Sequence, residues 1–276
     1  MTDEARAFVP GHITGFFSAH PNADDPTKAG SRGGGLTLTD GVEVTVRPST
    51  EPAVTLNGEP IEVDSVETVL RTLDAGATVE AETPLPLGAG FGVSGAMALG
   101  TALATNQVFS RKLSENELVT IAHGAEVQAG TGLGDVVAQA RGGIPIRLEP
   151  GGPQHNLLDG IPARARVEYL NIGQLSTAEV LSGDTDQLSE AGKKALSRVV
   201  KEPTLASFIF ASRRFAREAE LLTPEVTTVI EDVIEAGGQA SMAMLGETVF
   251  ALGTGLTDAG YDASVCATHP AGAMLK

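Results

Sequence analysis

The sequence predicts an α+β fold. Segments with a two-residue apolar period and segments with a helical apolar period follow one another without strict alternation. At 42% hydrophobic over 276 residues, the chain holds enough apolar surface for one large core or two smaller ones. No apolar run approaches the roughly 18 residues that a membrane-crossing helix needs. The N-terminal Met1-Thr2-Asp3-Glu4-Ala5-Arg6 lacks the basic start and apolar stretch of a secretory leader, so a cytoplasmic protein is expected.

The elements are read in order. Residues 5–9 read as a first strand. Residues 36–39 and 42–47 alternate by two around Asp40-Gly41, which predicts a hairpin there. Residues 53–56 add a strand that turns at Asn57-Gly58. Val63, Val66, Val69, Leu70 and Leu73 recur at helical spacing, with Asp64 expected as N-cap and Gly76 as stop. A strand at 78–82 leads into a Pro/Gly-rich loop and then an apolar helix of small residues to about Phe109. Ser114 and Glu117 have the spacing of a capping box at the start of the next helix. Strands are expected at 143–148 and 167–172. Helices follow near 187–200, 204–221 and 225–236, the last behind Pro224. Short strands at 239–245, 248–252 and 263–267 close the chain. A change of texture near 150–162 marks the expected domain boundary.

Charge narrows the partners. With 35 acidic and 19 basic residues the net charge is −16, a surface that repels nucleic acid and anionic membranes. A small-molecule partner is expected instead. The acid-rich, lysine-poor, tryptophan-free composition suits a salt-rich cytoplasm, where dissolved ions screen the self-repulsion. Cys266 stands alone, so no intrachain disulfide forms, and a buried position in a C-terminal strand is expected for it.

The most informative stretch is Pro84-Leu85-Pro86-Leu87-Gly88-Ala89-Gly90-Phe91-Gly92-Val93-Ser94-Gly95-Ala96. Glycines let backbone N–H groups approach phosphate oxygens, and the following helix adds free N–H groups and the positive end of its dipole. Gly90, Gly92 and Gly95 match the spacing of a dinucleotide fingerprint, but Pro84 and Pro86 break the approach and no acid follows until Glu115. Gly90 and Gly95 also have the spacing of a Walker loop, but Ala96 and Met97 stand where Lys and Ser/Thr belong. Tight helix–sheet packing without a ligand is the alternative reading.

Downstream, His123 and Glu126 share a helix face, and Asp135 follows Gly132-Leu133-Gly134. Phosphoryl transfer needs one carboxylate for a metal ion and one to accept the hydroxyl proton. Spacing alone leaves Glu126 open to being a solvated face residue and Asp135 to being a helix cap.

Three segments together resemble the GHMP kinase superfamily. They are Phe8-Val9-Pro10-Gly11-His12-Ile13-Thr14-Gly15-Phe16-Phe17, the 86–96 loop, and Glu126 with Gly132-Leu133-Gly134-Asp135 and Gly142-Gly143. A weaker fourth lies at 238–252. Within the superfamily the N-terminal segment, Gly30-Ser31-Arg32-Gly33-Gly34-Gly35-Leu36 and His123-Gly124-Ala125-Glu126 most resemble its archaeal pantoate kinases. The resemblance implies a ribosomal-S5-like N-terminal domain that binds ATP, expected at 1–155, and a ferredoxin-like C-terminal domain at 156–276. It implies ATP-dependent phosphorylation of pantoate, with Mg²⁺ on Ser94 and Glu126 and Asp135 as catalytic base. The nucleotide phosphates are expected on Pro86, Gly88, Ala89, Gly90, Gly92, Ser94 and Gly95. Arg147 is the first choice for the acceptor carboxylate, with Arg32 and Lys28 second and His12 and His123 as further substrate contacts. A homodimer is a family-level expectation. Two departures stand out: His12 occupies a position where mevalonate-type kinases carry lysine, and the usual double serine of the loop is Val93-Ser94. Another acceptor (mevalonate, homoserine or shikimate) and a non-catalytic nucleotide-binding role stay open.

Overall fold

The computed structural model describes residues 3–22, 24–173 and 186–276. Its spine is a pair of long antiparallel strands, β1 (Ala5–His20) and β2 (Gly30–Pro48). β1 runs well past the expected 5–9 because it is covered on both faces, so its apolar residues need no alternation. Glycine makes the close cover possible: a Cβ on Gly15 would lie 2.2 Å from Ser212 Oγ. Pro10 is tolerated because the pairing with β2 breaks its register between Pro10 and His12.

The same break corrects the expected hairpin at Asp40-Gly41. Both flanking segments belong to β2, with Val42 opposite Val9 and Thr37 opposite His12. The residues between them bulge toward the C-terminal segment, where Leu38 bridges Thr268 and the Ala267 N–H donates to Thr39 Oγ1. Neither Asp40 nor Gly41 has the positive φ that a type I′ turn requires. Asn57 (φ 52°) and Gly58 (φ 85°) do, and they join β3 (Ala53–Leu56) to β4 (Glu59–Pro60).

With β5 (Ala77–Glu82), β6 (Pro145–Glu149), β7 (Leu157–Gly160) and β12 (Met274–Leu275), these strands form an eight-stranded sheet. β7 and β12 were not legible in the sequence: one is a short partner of β6, the other a two-residue pairing on β1. Against the sheet pack α2 (Val93–Val108) and α4 (Asp135–Arg141), and α1 (Asp64–Thr72) and α3 (Glu115–Ala129) pack on α2 and on each other. α2 is buried nearly all round, as its small apolar residues require. α3 carries the predicted capping box from Ser114 and Glu117. At α1 the expected caps shift. Val63 is the N-cap, Asp64 lies in the first turn, and the helix ends at Leu73, before Gly76.

The second sheet has the order β11-β8-β10-β9, from β8 (Arg166–Gly173), β9 (Gln239–Ala243), β10 (Glu247–Leu252) and β11 (Ser264–Ala267). Between β8 and β9 come α5 (Asp186–Lys201), α6 (Leu205–Glu218) and α7 (Pro224–Glu235), and α8 (Gly255–Asp258) precedes β11. That is the β-α-β-β-α-β pattern of a ferredoxin-like unit, and the whole is α+β. Pro224 takes the first position of α7, where its missing N–H costs nothing. Cys266 is buried on β11, and burial followed by the Asp40 charge pushes its thiol up to about 12. The two sheets meet where the Met244 N–H donates to Thr14 O at 2.9 Å.

Candidate active site

A cleft of about 530 Å³ opens where the Pro/Gly-rich loop, the starts of α1, α2 and α4, β1, β6 and the β9–β10 turn come together. The size is that of a small-ligand site.

The loop forms one wall. Gly88 (φ 77°), Gly90 (φ 87°) and Gly92 (φ 61°) adopt backbone conformations that other residues rarely take. Gly92 is the N-cap of α2. No side chain caps that helix and no acid sits in its first turn, so the leading N–H groups and the positive dipole end face the cleft at Val93, Ser94 and Gly95. The loop is braced from behind. Gln139 Nε2 donates to Gly92 O at 2.9 Å, Thr248 Oγ1 donates to Ala89 O at 2.8 Å, and Gly246 packs on Ala89. Ala89 sits in this bracing layer behind the wall and Pro86 lies off the wall, while Gly88, Gly90, Gly92, Ser94 and Gly95 line it.

Two carboxylates face the wall. Ser94 Oγ donates to Glu126 Oε1 at 2.6 Å, and Ser65 Oγ from α1 lies 3.3 Å from Ser94 Oγ. Burial pushes the Glu126 carboxyl up. Hydrogen bonds from Ser65, Ser94 and Thr131 oppose that, and the Asp135 charge adds to it. Asp135 opens α4 and accepts from His12 Nδ1 at 2.7 Å. Burial pushes Asp135 up too, but the His12 hydrogen bond, the charge His12 carries when protonated, and Arg147 outweigh it and hold the group below the usual carboxylate value. Burial pushes the His12 imidazole down by more than Asp135 raises it. At neutral pH the pair is thus a carboxylate and a neutral imidazole, and an acceptor-only carboxylate requires the proton on Nδ1. His12 Nε2 is buried without a partner among the described residues, against Gly35, where a Cβ would lie 2.2 Å away.

Arg147 reaches the cleft from β6 and is 1% exposed. Burial brings its guanidinium down to about 10, against the pull of Asp135, so it stays cationic at neutral pH. Its Nε and Nη1 have no hydrogen-bond partner among the described residues. A buried cation with orphaned donors is costly unless an anion completes it.

Four expected substrate contacts lie off the cleft wall, the first being His12, which is fully buried and meets the cleft only through Asp135. On β2 successive side chains point to opposite faces, so Ser31 lines the cleft while Arg32 turns away toward Glu149. Lys28 pairs with Asp25 at the surface. His123 is off the cleft wall: its Nε2 is 2.8 Å from Ala29 O, which ties α3 to the segment before β2.

Residues 63–143 match the family model for the GHMP kinases N terminal domain. The pantoate kinase of Thermococcus kodakarensis is 36% identical over 263 residues, covering 90% of this chain and 87% of that one. The pantoate kinase of Methanospirillum hungatei is 36% identical over 256 residues, covering 90% and 86%. The chain belongs to the pantoate kinase family of GHMP kinases. A solved structure described as a phosphotransferase related to the CoA biosynthesis pathway superposes with a TM-score of 0.88 at 30% identity, over 99% of this chain and 98% of that one. The fold is thus that of a GHMP kinase from end to end.

Against this family background the single loop serine takes on a different look. Ser65 from α1 stands beside Ser94 and restores a second hydroxyl from another element. Sequence reading missed Ser65, Thr14, Ser31, Thr131, Met244 and Leu245 as wall residues. Thr14, Ser31, Met244 and Leu245 lay in segments that carried the resemblance, while Ser65 and Thr131 carried no signal. The 238–252 segment reaches the cleft through Met244 and Leu245.

Proposed function

We propose that this chain transfers the γ-phosphoryl group of ATP to the 4-hydroxyl of (R)-pantoate, giving 4-phosphopantoate for coenzyme A synthesis. The observation that carries this reading is the buried Arg147, whose Nε and Nη1 have no partner among the described residues, in one cleft with an ionised Asp135 and the open start of α2. These supply, respectively, a seat for the acceptor's carboxylate, a base for its hydroxyl and a cradle for phosphates. The named activity of the relatives agrees with it.

Ser94 Oγ and the Glu126 carboxylate are hard oxygen donors already 2.6 Å apart, which fits Mg²⁺ held by few protein ligands together with phosphate oxygens. When bound there, Mg²⁺ would neutralise charge on the phosphates. The protein's own part is positional. The glycine backbone of 88–95 orients the phosphates. Arg147 fixes the acceptor. Asp135, held by the Nδ1–H of His12, takes the proton as the hydroxyl oxygen bonds to the γ-phosphorus and ADP leaves. An ATP-binding half at 1–155, a C-terminal half at 156–276, a salt-rich cytoplasm and a homodimer complete the reading; the −16 charge supports the salt-rich setting.

The test is ADP release by the purified protein with Mg²⁺–ATP in high salt, against pantoate, mevalonate, homoserine and shikimate. Turnover with pantoate alone is expected. Turnover with another acceptor would discard the pantoate assignment, and silence with all of them the kinase reading.

A further inference from the structure

Outside the cleft, a second cavity of about 300 Å³ opens where the end of α5, the first turns of α6 and the end of α7 meet. Arg198, Glu202, Ser207, Phe210, Arg213 and Ile234 line it. We propose that it binds a small organic phosphate monoester, independently of the catalytic cleft.

The cations come first. In a chain with 35 acidic residues, Arg198 and Arg213 form no ion pair among the described residues. Yet Lys193, Lys194 and Arg214 on the same helices all reach carboxylates. The Arg198 guanidinium lies 4.2 Å over the centre of the Phe210 ring, which sets its orientation. Arg213 is half-buried, and burial followed by the charge of Arg217 pushes its guanidinium down. An anion would relieve both costs.

A second, independent observation points the same way. Ser207 is 2% exposed, lines the cavity, and its Oγ has no partner among the described residues. A buried hydroxyl without a partner is costly, and a ligand oxygen would satisfy it. Ser207 lies in the first turn of α6, whose dipole favours negative charge. Two guanidinium forks, a hydroxyl and a helix start make a set of donors suited to a group with several anionic oxygens, as phosphate is. Phe210 and Ile234, 39% and 42% exposed, offer apolar contact for the organic part. Glu202 is exposed and free to turn its carboxylate to water.

Phenyl phosphate, a monoester with a small ring, is the probe. It is titrated by calorimetry into protein whose cleft has been saturated with ADP. Saturable binding of one equivalent is expected. Arg213→Ala should weaken it about tenfold or more, Ser207→Ala should weaken it less, and Glu202→Gln should tighten it. Melting temperatures of Arg213→Ala and Ser207→Ala separate loss of binding from loss of fold, and Arg198→Ala, at an exposed position, should weaken binding with the melting temperature unchanged. Absence of saturable binding with ADP present, or binding that Arg198→Ala and Arg213→Ala leave unchanged, would overturn the proposal.

Discussion

Asp135 is buried enough for desolvation to oppose its charge, and it is ionised because of its neighbours. The sign of that balance makes a prediction about His12. Removing the imidazole deletes the strongest interaction holding the Asp135 carboxyl down and leaves burial free to raise it. In His12→Leu the acid limb of the kcat–pH profile should therefore move to higher pH, with a lower plateau. A limb that stays in place would mean that His12 does not tune the base. Asp135→Asn should abolish turnover while ATP binding, read by calorimetry, stays within about twofold. Arg147→Ala should raise KM for pantoate by about ten- to a hundredfold and change KM for ATP little, as expected for a charged hydrogen bond. Equal effects on both would remove Arg147 from the acceptor's seat. Glu126 gives the opposite sign to Asp135. Its folded pKa is raised above 4.5, so between that value and the folded one the native state holds more protons and stability falls as pH rises. Glu126→Gln should thus be more stable than the parent at pH 7, by about 1 kcal/mol, and inactive. Its advantage should fade toward pH 4; an advantage independent of pH would contradict the burial argument.

At the scale of elements, the site is legible where glycine and capping chemistry act locally. The phosphate wall came from the glycines at 88, 90, 92 and 95, whose conformations and close approaches the loop requires. The capping box at Ser114 is a four-residue signal, and Ser114→Ala should cost about 1 kcal/mol in chemical denaturation. What the sequence hid depends on distant pairing. Asp40-Gly41 and Asn57-Gly58 look alike as turn signals, yet β1 pairs on both sides of the first and keeps β2 continuous, while at the second Asn57 is tied to Ala81 and Thr83 and the chain turns back to pair β3 with β4. Arg32 and Ser31 are neighbours in sequence, and only the sheet register decides that the serine faces the cleft. Ser65 supplies the hydroxyl next to Ser94 from a different helix, which no local motif announces. Gly35 tests the same lesson. Its missing Cβ makes room for His12, so Gly35→Ala should displace the imidazole and lower kcat while leaving KM for ATP nearly unchanged.

At the scale of the whole molecule, charge decides the response to salt. Added salt weakens attractive surface pairs and also weakens the repulsion among excess acids, and the two effects oppose each other. The surface pairs among the described residues are open to solvent. Arg47 with Glu4 and Glu80, Lys276 with Glu43 and Arg214 with Glu218 are all exposed or half-exposed, so each contributes little and weakens further as salt rises. Against them stand 16 excess negative charges on one chain, whose mutual repulsion extends over about 10 Å at 0.1 M salt and about 3 Å at 1 M. Repulsion from so many charges outweighs the loss of weak exposed bridges, so the melting temperature should rise steadily from 0.1 to 2 M KCl. The rise should be steepest at the low end, where the screening length changes most. A melting temperature that is flat or falls over that range would mean that the acids are balanced locally, and would remove the physical basis for a salt-rich setting.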